Sequence, residues 1–444
     1  MASTAPSSPM LHGGPNRLMA MPVQHLLLLL ALLYAALTQL DAVGNRLTAS
    51  LPISAGEMLF AGLVAGSLIW LLTIRLNSPQ EGGHLLPFGV RLIAILCAWI
   101  FVCWAMSAHK SEGVDYIIKL SGSILPALCI MLAISSPRHL TLVTGSIVLA
   151  GTVAAVIVLI EYKTGTRLVA TSIAATTAEF EGAARSSGGS DENPTTAAQM
   201  LMVSTVLAMA LTVYAARRWQ PVLLGATALG IVALGQMSAR SALIGLALAA
   251  GLLGWRFRGH RAFPLMILAG IAAVIGLIAI APPELVERFM AIGDFAKDRT
   301  LFRRITYLRI GGDLLSGSPI WGIGPGNFPS YYVGPEYRWY PGRILEPREL
   351  HNMFLDTAVE YGLVGLALFA LLVREVFRQL IDASRSISQE LSSVAIALML
   401  ALAALLAASF FMPHKDLRYL WLLLALGLRA GMLAQVGRLN RNTP

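Results

Sequence analysis

Charge is what this sequence has least of. Only 13% of its 444 residues are Asp, Glu, Lys or Arg, while 56% are hydrophobic. Soluble globular proteins carry roughly 25% charged residues, so composition alone predicts an integral membrane protein. The same shortage, beside so much Leu, Ile and Val, excludes a disordered chain or a coiled coil. Cysteine is scarce as well. Cys97, Cys103 and Cys129 each lie in an apolar run. They read as small buried hydrophobes and offer neither a disulfide framework nor metal-ligand spacing. No Asp-x-Asp pair occurs, and the carboxylates outside the apolar runs are scattered, so spacing gives no metal site, although distant loops can assemble one. The formal charge of +9 raises the question of nucleic acid, and the placement of the basic residues answers it.

Twelve apolar runs are long enough to approach the ~20 helical residues that cross a hydrocarbon core. They lie near 23–40, 52–74, 88–107, 113–134, 139–160, 196–215, 220–236, 239–255, 262–281, 351–373, 390–411 and 417–436. The polar N-terminal stretch shows no processing site after a short apolar core, so the first run is expected to stay as an anchor. With the N-terminus inside, the inner segments hold fifteen arginines and the short outer loops only five basic residues. That bias orients the chain with both ends inside and accounts for much of the basicity without nucleic acid. The expected organisation is an all-α polytopic protein: a tail at 1–22, spans one to nine over 23–281, spans ten to twelve over 351–436 and a tail at 437–444. Two long loops, 161–195 and the large helical 282–350, fall on the outer side. No nucleotide donor exists there, so transfer chemistry would need a donor already activated, such as one carried on a lipid.

The large loop holds the candidate chemistry. Its GIGPGNF stretch has glycines at Gly322, Gly324 and Gly326. A phosphate loop would need a following Lys and Ser or Thr, and a dinucleotide fold a preceding strand; neither is present. Two readings stand: a turn ending the preceding helix, or exposed N–H groups holding a diphosphate. The stretch RTLFRRITYLRIGGDLL places Leu301, Ile305 and Leu308 at helical spacing, which predicts an amphipathic helix. Arg304 sits at the edge of that stripe and Arg303 points away. Arg304 then either snorkels to headgroups or turns toward a ligand. Trp321 and Trp339 read as interface anchors.

His351 opens the tenth run, LHNMFLDTAVEYGLVG. On a helix it shares a face with Leu355, Ala358, Gly362 and Gly365, whose small members would let another helix approach closely. His351 is either an interfacial anchor or a reactive group at the mouth of that seam. Asn352, Asp356 and Glu360 line a second face. Glu360 would lie about 13 Å below His351 at 1.5 Å per residue, where a carboxylate must be paired, protonated or functional. Pairing is the expected role, because a sugar acceptor has little reason to reach so deep. Arg240, between spans seven and eight, and Arg185, in the first long loop, join Arg304 on the outer side. Arginine's planar fork suits a phosphate group.

GAARSSGGSDENP, MSARSALIGLALA, RRITYLRIGGDLLSGSPIWGIGPGNF and LHNMFLDTAVEYGLVG, in that order, resemble the successive motifs of the O-antigen ligase and polymerase family. The resemblance is densest over 181–365, and the first five spans match only in hydropathy. It implies an enzyme of the bacterial inner membrane with its site facing the periplasm. The family's essential arginines and histidine carry over to Arg185, Arg240, Arg304 and His351, with Asn352, Glu360, Gly322 and Gly324 as possible supporting residues. SDENP departs from the family's usual pattern, so Asn193 carries over only weakly.

The implied reaction is an inverting, metal-independent glycosyl transfer in lipopolysaccharide synthesis. A glycan on undecaprenyl diphosphate would be the donor and a sugar hydroxyl of lipid A-core the acceptor, with no cofactor. The arginines would stabilise charge on the departing diphosphate, and His351 would take the acceptor proton as general base. A glycan polymerase or a protein O-oligosaccharyltransferase would share donor and motifs. A transporter would also account for twelve spans. It would be expected to use intramembrane charges such as Lys119, Asp356 and Glu360, but it would have little use for an outer loop of about seventy residues.

Overall fold

The computed structural model of the protein describes residues 15–77, 87–169, 185–261, 263–280, 299–337, 339 and 346–442. Parts of both long loops and of both tails therefore lie outside the described residues. Among the described residues the chain forms helices and connecting turns and no strand. The α-helices are α1 (Pro15–Leu37), α2 (Asp41–Leu47), α3 (Ala55–Asn77), α4 (Phe88–Met106), α5 (Lys110–Ala133), α6 (Pro137–Thr164), α7 (Pro194–Tyr214), α8 (Gln220–Gln236), α9 (Arg240–Arg256), α10 (Phe263–Ile280), α11 (Arg299–Gly317), α12 (Phe328–Tyr332), α13 (Met353–Ser384), α14 (Gln389–Ala408) and α15 (Arg418–Asn442). Short 3-10 turns occupy Pro335–Tyr337, Ser409–Phe411 and His414–Asp416. An all-helical build suits a chain so apolar, because a backbone in hydrocarbon must satisfy its N–H and C=O groups within its own segment.

Each of the twelve apolar runs falls on a helix of its own. Among the described residues, eight helices are long and apolar enough to cross a membrane: α3 to α7 and α13 to α15. A ninth span is formed if α1 and α2, bent by 109° across Thr38–Leu40, count as one broken crossing. The helices α8 and α9 have 17 residues each, which reach only about 25 Å of a roughly 30 Å core.

Helix α7 runs through the middle and is buried on nearly every side, against α14, α8, α9 and α6. Close approach is possible because a neighbour presents glycine at the contact. A Cβ on Gly230 would collide with Thr205, and one on Gly245 with Met202. A second group, α4, α5, α13 and α15, packs beside it.

Contacts between distant segments gather one end of the bundle. Gly189 accepts from the N–H groups of Ala42 and Val43. His109 meets Tyr331 edge-on, and Lys119 pairs with Asp416 at 2.7 Å. The segments 185–195, 237–241, 319–332, 346–353 and 408–418 all converge there.

The expected helical face running from His351 to Gly365 is not continuous. Helix α13 begins at Met353 and is interrupted at Gly362, whose φ of 69° and ψ of 178° are open to glycine and costly for other residues. The interruption frees carbonyls, and the 319–326 turn fills the gap. Ile323 N–H donates to Val359 O at 2.9 Å, Gly324 N–H to Glu360 O at 3.0 Å and Leu363 N–H to Pro319 O at 2.8 Å. Gly362 is small because an irregular turn crosses it, where the sequence suggested a neighbouring helix. The same turn supplies partners to Glu360, whose carbonyl accepts from Gly324 N–H.

Candidate functional site

His351 lies just before α13, half-buried, with Asn352 as N-cap. The Asn352 side chain accepts from the N–H groups of Phe354 and Leu355, both at 3.1 Å, which satisfies two otherwise orphaned donors. Nδ1 of His351 is 2.8 Å from Glu349 O. A carbonyl can only accept, so Nδ1 carries the proton of the neutral ring and Nε2 is its acceptor. The ring stacks on Tyr307 of α11, with centroids 5.2 Å apart and planes 19° apart.

Burial pushes the His351 pKa below its ordinary value. The Glu349 carbonyl opposes this, and the charges of Arg304, Arg348 and Arg303 reinforce it. A neutral imidazole with an accepting Nε2 can take a proton near pH 7. The neighbouring Tyr307 hydroxyl is pushed up by burial to about 12, so it stays protonated and does not compete as a base.

Arg304 lies one helical turn from Tyr307. Its guanidinium carbon is 5.1 Å from the centroid of the Phe411 ring, a cation–π contact. Arg303 and Arg304 are both half-buried, so Arg303 is less solvated than the helical wheel suggests. Arg185 is buried beside the start of α7, donating to Thr195 Oγ1 at 3.0 Å and toward Met237 O at 3.5 Å. Met237 opens the turn into α9, where Ser238 adopts φ 51° and Arg240 is the first helical residue. Asn193 caps α7 by accepting from Thr195 N–H at 2.8 Å.

These two groups meet at the end of α14. Gln199 of α7 donates to Ser241 Oγ at 2.7 Å and to Ala408 O at 3.3 Å. Phe410 packs on Phe354 at 4.5 Å between centroids, and Phe411 lies under Arg304. The Ala408–Phe411 segment is therefore flanked by the Arg185–Arg240 turn on one side and by Arg304 and His351 on the other.

The supporting residues take other roles. The backbone N–H of Gly322 donates to Ser318 O and that of Gly324 to Glu360 O, while Gly326 donates to Glu360 Oε2 at 2.7 Å. The turn spends these donors inside the protein, so a diphosphate-holding role for them is not what the geometry displays. Glu360 is 2% exposed and paired. Its Oε2 lies 2.5 Å from Lys415 Nζ, which also meets Asp356 Oδ2 at 2.7 Å. Burial works against the Lys415 charge, but the two carboxylates outweigh it and hold its pKa above the ordinary value. Removing one member of such a buried group leaves an uncompensated charge and costs about 3–5 kcal/mol.

Lys415 is one of the five basic residues counted above in the short outer loops, yet it is 5% exposed. The available signal was the need for a cation opposite two carboxylates on one helix face. Lys119, one of the intramembrane charges a transporter would be expected to use, pairs with Asp416 at 2.7 Å. Glu192, beside that pair, was missed altogether; burial pushes it up to about 7. Among the described residues no three His, Cys, Asp or Glu side chains come together as a metal cradle.

Residues 236–370 match the sequence model of a family described as O-antigen ligase. The match takes in Arg240, Arg304, Gly322, Gly324, His351, Asn352 and Glu360, and it leaves out Arg185 and Asn193. No curated protein matches the chain. The stretch 236–370 is thus similar to a family described as O-antigen ligase, and it lies within a helical chain of which eight described helices are long and apolar enough to cross a membrane.

Proposed function

We propose that the protein is an O-antigen ligase. In this reading it crosses the inner membrane twelve times, with the His351 end of the bundle facing the periplasm. It transfers a glycan from undecaprenyl diphosphate to a sugar hydroxyl of lipid A-core. The observation that carries the reading is the placement of His351, with Nδ1 2.8 Å from the Glu349 carbonyl, which leaves Nε2 as the acceptor of a neutral ring, and with the ring stacked on Tyr307 of the helix that bears Arg304.

The acceptor hydroxyl gives its proton to His351 Nε2 as its oxygen attacks the anomeric carbon. The bond to the diphosphate oxygen breaks on the opposite face, which inverts the centre. Arg304, Arg240 and Arg185 neutralise the charge that grows on the leaving undecaprenyl diphosphate. Arginine suits this task because its fork binds two oxygens at once. The scheme draws on no cofactor or metal.

The ligase reading is tested with purified protein in detergent, given undecaprenyl-diphosphate glycan and either lipid A-core or a second molecule of the same donor. A glycan joined to lipid A-core on a gel supports the ligase. Lengthening of the lipid-linked glycan alone assigns the polymerase. No product with either acceptor refutes both.

A further inference from the structure

The ammonium of Lys415 is a strongly enclosed charge that the transfer chemistry leaves unused. It touches Asp356 and Glu360, and it faces the rings of Tyr116 and Tyr361 at 5.2 and 5.3 Å from their centroids. Its own carbonyl accepts from Trp421 Nε1 at 2.9 Å, which ties the short 3-10 turn to α15.

We propose that Lys415 is a positioning residue: by clamping Asp356 and Glu360 it fixes the first two turns of α13 against the 319–328 turn, and so sets where His351 stands relative to Arg304. This rests on the reading of His351 as the base.

The contacts close into a ring. Asp356 N–H donates to Asn352 O at 2.8 Å, and Asn352 caps the helix next to His351. Glu360, on the other side of Lys415, accepts from the N–H groups of Gly326 and Phe328. Phe328 packs on Tyr332 and Tyr332 on Tyr307. Tyr307 carries the stacked His351 ring and lies one turn from Arg304. The ring contains a single cation, and that cation comes from a third part of the chain, the α14–α15 connection. Moving it frees both carboxylates, loosens the N–H anchors of the 326–328 segment and lets the Tyr307 support shift. A displacement of about 1 Å at a reacting group can cost on the order of 10²-fold in rate.

The titratable and charged groups that face His351 are Tyr307, Arg303, Arg304, Arg348 and His414. Burial drops His414 to about 4, so it adds no charge near neutrality. The depressed pKa of His351, set first by burial and reinforced by these arginines, therefore rises if the ring moves outward or away from them, which a purely structural role for Lys415 would leave alone.

Two variants test this. Asp356→Asn/Glu360→Gln/Lys415→Met removes every charge of the group together, and Lys415→Arg keeps the charge but widens it. For each, thermal unfolding, binding of undecaprenyl diphosphate, kcat with KM for the donor, and the pH profile of kcat are measured. We expect parental binding and donor KM, a kcat lowered by about 10²-fold in the neutral variant and about tenfold with arginine, and an acid limb moved up toward the ordinary imidazole value. Parental kcat with an unmoved limb, in whichever variant folds, overturns the proposal. An active His351→Gln in the otherwise unchanged protein overturns the base reading instead, whatever the Lys415 variants do.

Discussion

Gly362→Ala is the sharpest perturbation this fold offers. At φ 69° and ψ 178° a residue with a Cβ carries about 1–3 kcal/mol of backbone strain. The new methyl would also overlap the Ile320 carbonyl and stand 2.7 Å from Trp321 N. These are backbone atoms, so no side chain can swing aside. Relief requires the 319–324 segment of the turn to lift off α13, which forfeits the hydrogen bonds from Ile323, Gly324 and Leu363. At about 0.5–1.5 kcal/mol each, the three bring the cost to roughly 2.5–7.5 kcal/mol with the strain included. Domains are commonly stable by only about 5–15 kcal/mol, so the variant should unfold at a markedly lower temperature in detergent and lose transfer with it. Gly312→Ala is the control. It lies in α11 with nothing within 4 Å of the added methyl, and it should be neutral or stabilise by up to about 1 kcal/mol. Tryptophan fluorescence during heating reads both. A Gly362→Ala protein that melts with its parent would show that α13 is not broken there.

Four further outcomes are expected. His351→Gln and His351→Ala should each lose about 10²–10⁴-fold in kcat while still binding undecaprenyl diphosphate, and an active Gln variant removes the base assignment. Because the base must be neutral and its pKa is depressed, activity should persist below the ordinary imidazole range and fall only on further acidification; Glu192→Gln should keep that limb, and a limb that leaves with Glu192 would transfer the role to it. Arg304→Ala should abolish transfer and Arg304→Lys should rescue poorly, since an ammonium lacks the planar fork; equal loss in Arg303→Ala would reduce the helix to bulk charge. A cysteine at exposed Ser316 should react with an impermeant maleimide added from the periplasmic side and one at exposed Ile387 should not, with reversed labelling placing the site on the wrong face.

What the sequence reveals about this protein follows from the range of each interaction. Apolar runs announce helices because the need to satisfy the backbone in lipid is local, and all twelve runs are helical. Arg304 beside an apolar stripe was legible for the same reason, since a helical wheel needs only neighbours in sequence. Gly362 was misread because periodicity treats LDTAVEYGLVG as one helix, and nothing local marks the glycine that reverses φ. Its cause lies forty residues upstream, in the PIWGIG turn that docks there. Lys415 stayed hidden by the same logic. In MPHKDLR it resembles a loop charge, and only the fold brings it to Asp356 and Glu360. Yet the two carboxylates posed the question correctly, because neither can be buried on one helix face without a partner. Among the outer-loop cations, a side chain able to answer both at once had to be an ammonium or a guanidinium on a segment returning to that depth. The short α14–α15 connection is held there by the Trp421 bond and by Ser123 donating to Asp416 O at 2.6 Å. A buried acid pair in a membrane-protein sequence is thus a pointer to an unidentified cation, and the place to seek it is among the connections at the same end of the bundle.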